Sequence, residues 1–154
     1  MKVVLPSNKG HSTVLIEFRA PMVLAGEPGF DVAVSIQTVH WSSSQPRPCN
    51  LTIEGLGLRE AALVALLSAV SKWLELPLSE QAAEELVNEF ELGIHDQSIV
   101  VRFGPRDDLI AERHPVVTFE IKASALHVSV HFAADQSCLV LFANGLAEAI
   151  KQET

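Results

Sequence analysis

The sequence predicts an α+β fold: antiparallel sheet(s) of about six to eight strands, with one long central helix, one short helix and a C-terminal helix packed against the sheet. Two observations predict it. Phe30, Val32, Val34 and Ile36 alternate with Asp31, Ala33, Ser35 and Gln37, and this period of two belongs to a strand with one face buried. At Leu58 the period changes, and apolar residues at 63, 66, 67, 70, 73 and 74 then follow helical spacing. The resulting order is strands, helix, short helix, strands, helix. It is not the βαβα alternation of a doubly wound sheet, so an antiparallel sheet with helices against it is expected.

Taken in order, Ser12 to Arg19 is rich in β-branched and aromatic residues and reads as a strand. Gly26-Glu27-Pro28-Gly29 supplies a turn before the Phe30 to Val39 strand. Ser42 to Pro48, with two prolines, reads as a loop, and Leu51 to Glu54 as a short further strand. Arg59 to Leu76 is the long helix; Pro77 ends it, because the residue before a proline is pushed out of the α region. Ser79 can cap a short helix from Glu80 to about Val87, without a capping box because Ala82 stands where Glu or Gln would. Glu89 to Ile94, Ile99 to Phe103, Val116 to Ala123 and Leu126 to Ala133 return to strand periodicity. Asp135 is a good N-cap for a last helix through about Gln152, and Gly145 inside it costs about 1 kcal/mol relative to Ala, which implies a close packing contact there. No convincing repeat or low-complexity tract breaks residues 1–154, which read as a single domain.

Composition narrows the function. An apolar fraction of 48% and a charged fraction of 19% are those of an ordinary globular protein. The formal net charge of −8 repels phosphate backbones and anionic lipid, so neither direct nucleic-acid binding nor membrane docking is expected. The opening Met1-Lys2-Val3-Val4-Leu5-Pro6 has no apolar h-region, and the richest apolar run, Ala61 to Val70, is far short of a membrane span. Cys49 and Cys138 form no CxxC, so reduced thiols and a cytoplasmic setting are expected.

No residue pattern carries chemistry, and neither a catalytic set, a metal site nor a cofactor is expected. His127 and His131 would share one face of a helix, but here they lie on a strand, where four residues span roughly 13 Å. One zinc ion, held at about 2 Å from each nitrogen, cannot bridge that. His11, His40, His95 and His114 are scattered. Cys138 falls near the start of the last helix, where the dipole would lower a thiol pKa, yet Leu139-Val140-Leu141 follows it and suits a buried small hydrophobe. GxSxG is absent, and Gly55-Leu56-Gly57 lacks both the third glycine of a dinucleotide loop and the GK[ST] of a P-loop.

The strongest electrostatic feature is acidic. No Lys or Arg lies between Lys72 and Arg102, while Glu75, Glu80, Glu84, Glu85, Glu89, Glu91 and Asp96 do. Charge runs usually form a solvated face. As a functional surface, Glu80, Glu84, Glu85, Glu89, Glu91 and Asp96 would steer a basic protein partner.

Two segments carry a family likeness: the helix LREAALVALLSAVSKWLEL with the acidic segment and the Glu89-Phe90-Glu91-Leu92 strand after it, and the ending HFAADQSCL, where a strand enters a helix through Asp135-Gln136-Ser137. In this pattern of elements the chain resembles the WapI-type immunity proteins and related uncharacterised bacterial proteins. Gly29-Phe30-Asp31 departs from the tryptophan-bearing strand start common in that group. The resemblance implies a non-enzymatic, cytoplasmic protein that neutralises a basic, nuclease-type toxin. Two alternatives remain: a homo-oligomeric assembly protein, with a homodimer formed through a sheet edge or an apolar helix face, and an unrecognised small enzyme.

Overall fold

The computed structural model describes residues 1–8, 10–42, 44–77, 86–91, 97–104 and 116–152. Four strands come first: β1 (Lys2–Pro6), β2 (Thr13–Leu24), β3 (Glu27–Ser42) and β4 (Gln45–Arg59). Helix α1 (Glu60–Glu75) follows. A second set then runs β5 (Leu86–Glu91), β6 (Gln97–Gly104), β7 (Val116–Ala123) and β8 (Leu126–Ala133), and α2 (Gln136–Gln152) ends it. Each set is a four-stranded antiparallel meander in sequence order. The architecture therefore repeats, meander then helix, although the amino-acid sequence does not.

Alternation decides which face of each sheet is buried. In the first sheet Val3 and Leu5 pair with Ile16 and Val14, which pair in turn with Val34 and Ile36, so one face is apolar across three strands. In the second, Ile99, Val101 and Phe103 meet Ile121, Phe119 and Val117, which meet Val128, Val130 and Phe132. These faces join Leu63, Leu66, Val70 and Trp73 of α1 and Leu139, Phe142 and Leu146 of α2 in one continuous core. Trp73 stacks on Phe103 with ring centroids 5.6 Å apart, tying α1 to the second sheet. Helix α2 lies against β1 at Gly145, where a Cβ would come within 3.0 Å of Val3 Cγ1; this is the close contact its glycine implied.

The helices correct the expectation. Only two helices occur among the described residues, of 16 and 17 residues, so neither is a dominant long one. Nor is α1 central: each helix buries a single stripe, and α1 leaves Ala61, Val64, Ala65 and Ser68 exposed at the periphery. Residues 80–85 of the expected short helix lie outside the described residues, and Leu86 and Val87, its supposed end, belong to β5.

The first sheet is also longer than expected. β1 was not anticipated, β2 runs on to Leu24, and β4 begins at Gln45, inside the supposed loop. Pro46 and Pro48 fit because β4 is an edge strand. Two residues apart, they share one phase of the ladder, so their missing N–H groups can both fall on the unpaired side. β8 enters α2 as expected: Asp135 Oδ1 accepts from the Cys138 amide at 3.0 Å, a side-chain N-cap. The Asn8 side chain in turn accepts from the Asp135 amide, and the Asn8 amide donates to the Ala133 carbonyl at 3.0 Å, which fastens the β1–β2 connection to this junction.

Candidate functional site

The face of the first sheet turned away from the core brings polar side chains together. Register places Thr13 beside Gln37 and Leu15 beside Ser35 on β2 and β3. Across β3 and β4, Ser35 stands beside Thr52 and Gln37 beside Asn50. The hydroxyls of Ser35 and Thr52 lie 2.9 Å apart. Gln37, Asn50 and Thr52 are exposed, and Ser35 is half-buried.

The charges here are largely cancelled. Lys2 pairs with Glu17 at 3.6 Å, Arg19 with Glu54 at 2.7 Å and Arg59 with Glu27 at 3.5 Å. The hydrogen bond that Arg19 donates to Glu54, then the charge of that carboxylate, holds the guanidinium above its already high ordinary pKa. Such exposed pairs add little stability. Their consequence is electrostatic: the face carries polar groups without excess negative charge.

The net charge of −8 is therefore not spread evenly. Residues 1–59, which build the first sheet, hold five Lys or Arg against four Asp or Glu; residues 60–154 hold six against fifteen. From Val32 to Ile53 there is no acidic residue at all. This removes the ground on which nucleic acid was excluded, because a strand at a surface responds to the local potential, not to the formal total.

The residues singled out from sequence are not gathered into this face. Of the acidic set, Glu80, Glu84, Glu85 and Asp96 lie outside the described residues; Glu89 and Glu91 are on β5, opposite Val100 and Ser98 of the second sheet. His127 and His131 are exposed on β8, opposite Lys122 and Thr118, and His127 Nε2 lies 3.4 Å from Glu120. No group of three or more His, Cys, Asp or Glu placed to hold a metal ion occurs among the described residues. Cys138 is buried, and that burial, ahead of its contacts with Asp135, pushes the thiol pKa up, against the helix-dipole expectation. Cys49 is exposed and sits on β4 opposite Thr38, not in a loop. No helix among the described residues is long and apolar enough to cross a membrane.

Sequence reasoning missed Ser35, Gln37, Asn50 and Thr52 as a group. The available signal was negative, the absence of acid from Val32 to Ile53, and only the register makes it a surface.

Neither a family model nor a curated protein matches the sequence. Among solved structures, the chain is similar to the plant transcriptional regulator PBF-2, with a TM-score of 0.47 at 9% identity over 97% of this chain and 81% of that one. It is also similar to WHY1 from Arabidopsis thaliana, with a TM-score of 0.46 at 9% identity over 97% of this chain and 89% of that one. The resemblance to WapI-type immunity proteins is overturned, since the similarity found runs to a transcriptional regulator and not to immunity proteins. With it go the toxin-neutralising function, the basic toxin partner and the exclusion of nucleic acid, and the assembly-protein and small-enzyme alternatives find no counterpart either. At 9% identity and TM-scores below 0.5, neither likeness carries a ligand or an activity over to this chain.

Proposed function

We propose that this chain is a non-enzymatic nucleic-acid-binding module that uses the outward face of its first sheet. The observation that carries the reading is the segregation of charge, with the first sheet near neutrality and the acid gathered in the remainder. A phosphate backbone approaching the molecule is repelled from the second half and meets its least unfavourable potential at the first sheet. There, Ser35, Gln37, Asn50 and Thr52 offer donors and acceptors to phosphate, sugar and base edges. With so few cations the electrostatic share of binding is small, and affinity depends only weakly on salt. About two neutralised phosphates on a single strand would give a log–log salt slope of roughly −1.4.

The test is fluorescence anisotropy of a labelled oligonucleotide against two variants that each add one negative charge. Thr52→Glu places it on the proposed face, and Leu141→Glu on the exposed side of α2. Thr52→Glu is expected to weaken binding by about fivefold, corresponding to about 1 kcal/mol for one close like charge in water. Leu141→Glu is expected to leave binding unchanged. Equal losses in the two variants would show that net charge alone matters, and the proposed face would be wrong.

A further inference from the structure

Beyond Gln37 the first sheet narrows to two strands. The β2–β3 ladder stops at the Thr13–Gln37 pair, while the β3–β4 ladder continues from Thr38–Cys49 through Val39–Pro48, His40–Arg47 and Trp41–Pro46 to Ser42–Gln45. At about 3.3 Å per residue this ribbon reaches roughly 16 Å past the third strand. Its β4 side, Gln45 to Thr52, is exposed throughout, and none of it enters the hydrophobic core.

The ribbon lies wholly inside the acid-free stretch from Val32 to Ile53. Arg47 stands at its middle, opposite His40 and one pair from Trp41. The Arg47 guanidinium donates to Gln45 Oε1 at 3.4 Å, and no carboxylate lies within ion-pair distance of it among the described residues. In this it differs from Lys2, Arg19 and Arg59, each matched to a glutamate. Pro46 and Pro48 remove two backbone donors from its β4 edge, so that edge is ill suited to adding a further strand. What its β4 strand presents is an exposed cation and amides, within a stretch of sequence that holds no acidic residue.

We infer that the β3–β4 ribbon beyond Gln37 is the element that grips the phosphodiester backbone, with Arg47 as its phosphate contact. The inference rests on the nucleic-acid reading above and locates the grip outside the body of the sheet. A two-stranded ribbon can enter a duplex major groove, and an exposed cation can equally meet the backbone of a single strand; the shared chemistry is the phosphate, and titrating both forms distinguishes them.

Two variants test it, each titrated with single-stranded and duplex oligonucleotides of one sequence at low salt. In Arg47→Glu, an exposed substitution, affinity is expected to fall about fivefold to tenfold and the salt slope to flatten by roughly 0.7 to 0.9. In the second variant residues 39–48 are replaced by Asn-Gly, joining Thr38 to Cys49 through a two-residue turn. Binding is expected to vanish while circular dichroism and the thermal midpoint stay near those of the parent. If both variants bind like the parent while Thr52→Glu does not, the ribbon is not the grip, yet the sheet-face reading stands. If the parent binds neither form at low salt, the nucleic-acid reading itself fails. Should the shortened chain misfold, Arg47→Glu alone decides: an unchanged affinity and salt slope overturn the inference.

Discussion

Gly29 shows how tightly single residues are held. A Cβ built there would lie 2.7 Å from Leu24 Cδ1 and 2.8 Å from the Leu58 carbonyl oxygen, and the second atom is backbone that cannot turn aside. Gly29→Ala is therefore expected to lower stability by about 1 to 3 kcal/mol in urea unfolding, although alanine is ordinarily the better residue in regular structure. Trp73, buried and stacked on Phe103, is expected to cost more: Trp73→Ala should lose about 3 to 5 kcal/mol. At Asp135 the effect depends on pH. Its hydrogen bond from Ser137, then that from the Cys138 amide, holds the carboxyl below its ordinary value of 3.8. A carboxyl whose pKa is depressed on folding contributes stability above its unfolded value and loses it as pH falls through the folded one. Asp135→Ala should thus cost about 1 kcal/mol near neutrality. That deficit should shrink as the medium is taken below the ordinary carboxylate range, and a deficit independent of pH would assign the loss to packing instead.

At the scale of elements, legibility followed how much one-sided burial each segment carries. β3 was readable because Phe30, Val32, Val34 and Ile36 all face the core. α1 was readable because Leu63, Leu66, Val70 and Trp73 form its buried stripe, and the start of α2 because Asp135 caps it with its own side chain. β1 was not: five residues ending in proline offer too short an alternation, and only its ladder to β2 makes it a strand. The first half of β4 was hidden for the opposite reason, since Gln45 to Thr52 is exposed on both faces and leaves no alternation to find. Its prolines read as breakers, which holds for a central strand and not for an edge. The same prolines should guard that edge. Replacing Pro46 and Pro48 together by threonine restores two donors to the unpaired side. Light scattering should then show association that grows with concentration, and a strictly monomeric double variant would mean the edge is protected by something else. The candidate face was the least legible feature, because its residues come from three strands and meet only through register.

Across the whole molecule, two meander-and-helix halves share an architecture but not a charge. The first 59 residues are nearly neutral, and the rest hold fifteen of the nineteen acidic side chains. A formal total of −8 conceals this, which is how a sum over the sequence could argue against the ligand proposed above. The asymmetry should also orient the encounter, with the acidic half turned away from a polyanion. The most direct measurement is amide chemical-shift mapping of the full chain as an unlabelled oligonucleotide is added at low salt. The account predicts perturbations concentrated on β2, β3 and β4, at Thr13, Ser35, Gln37, Arg47, Asn50 and Thr52, with α2 and β8 silent. Perturbations centred on α2 or the second sheet, or none at saturating oligonucleotide, would contradict it.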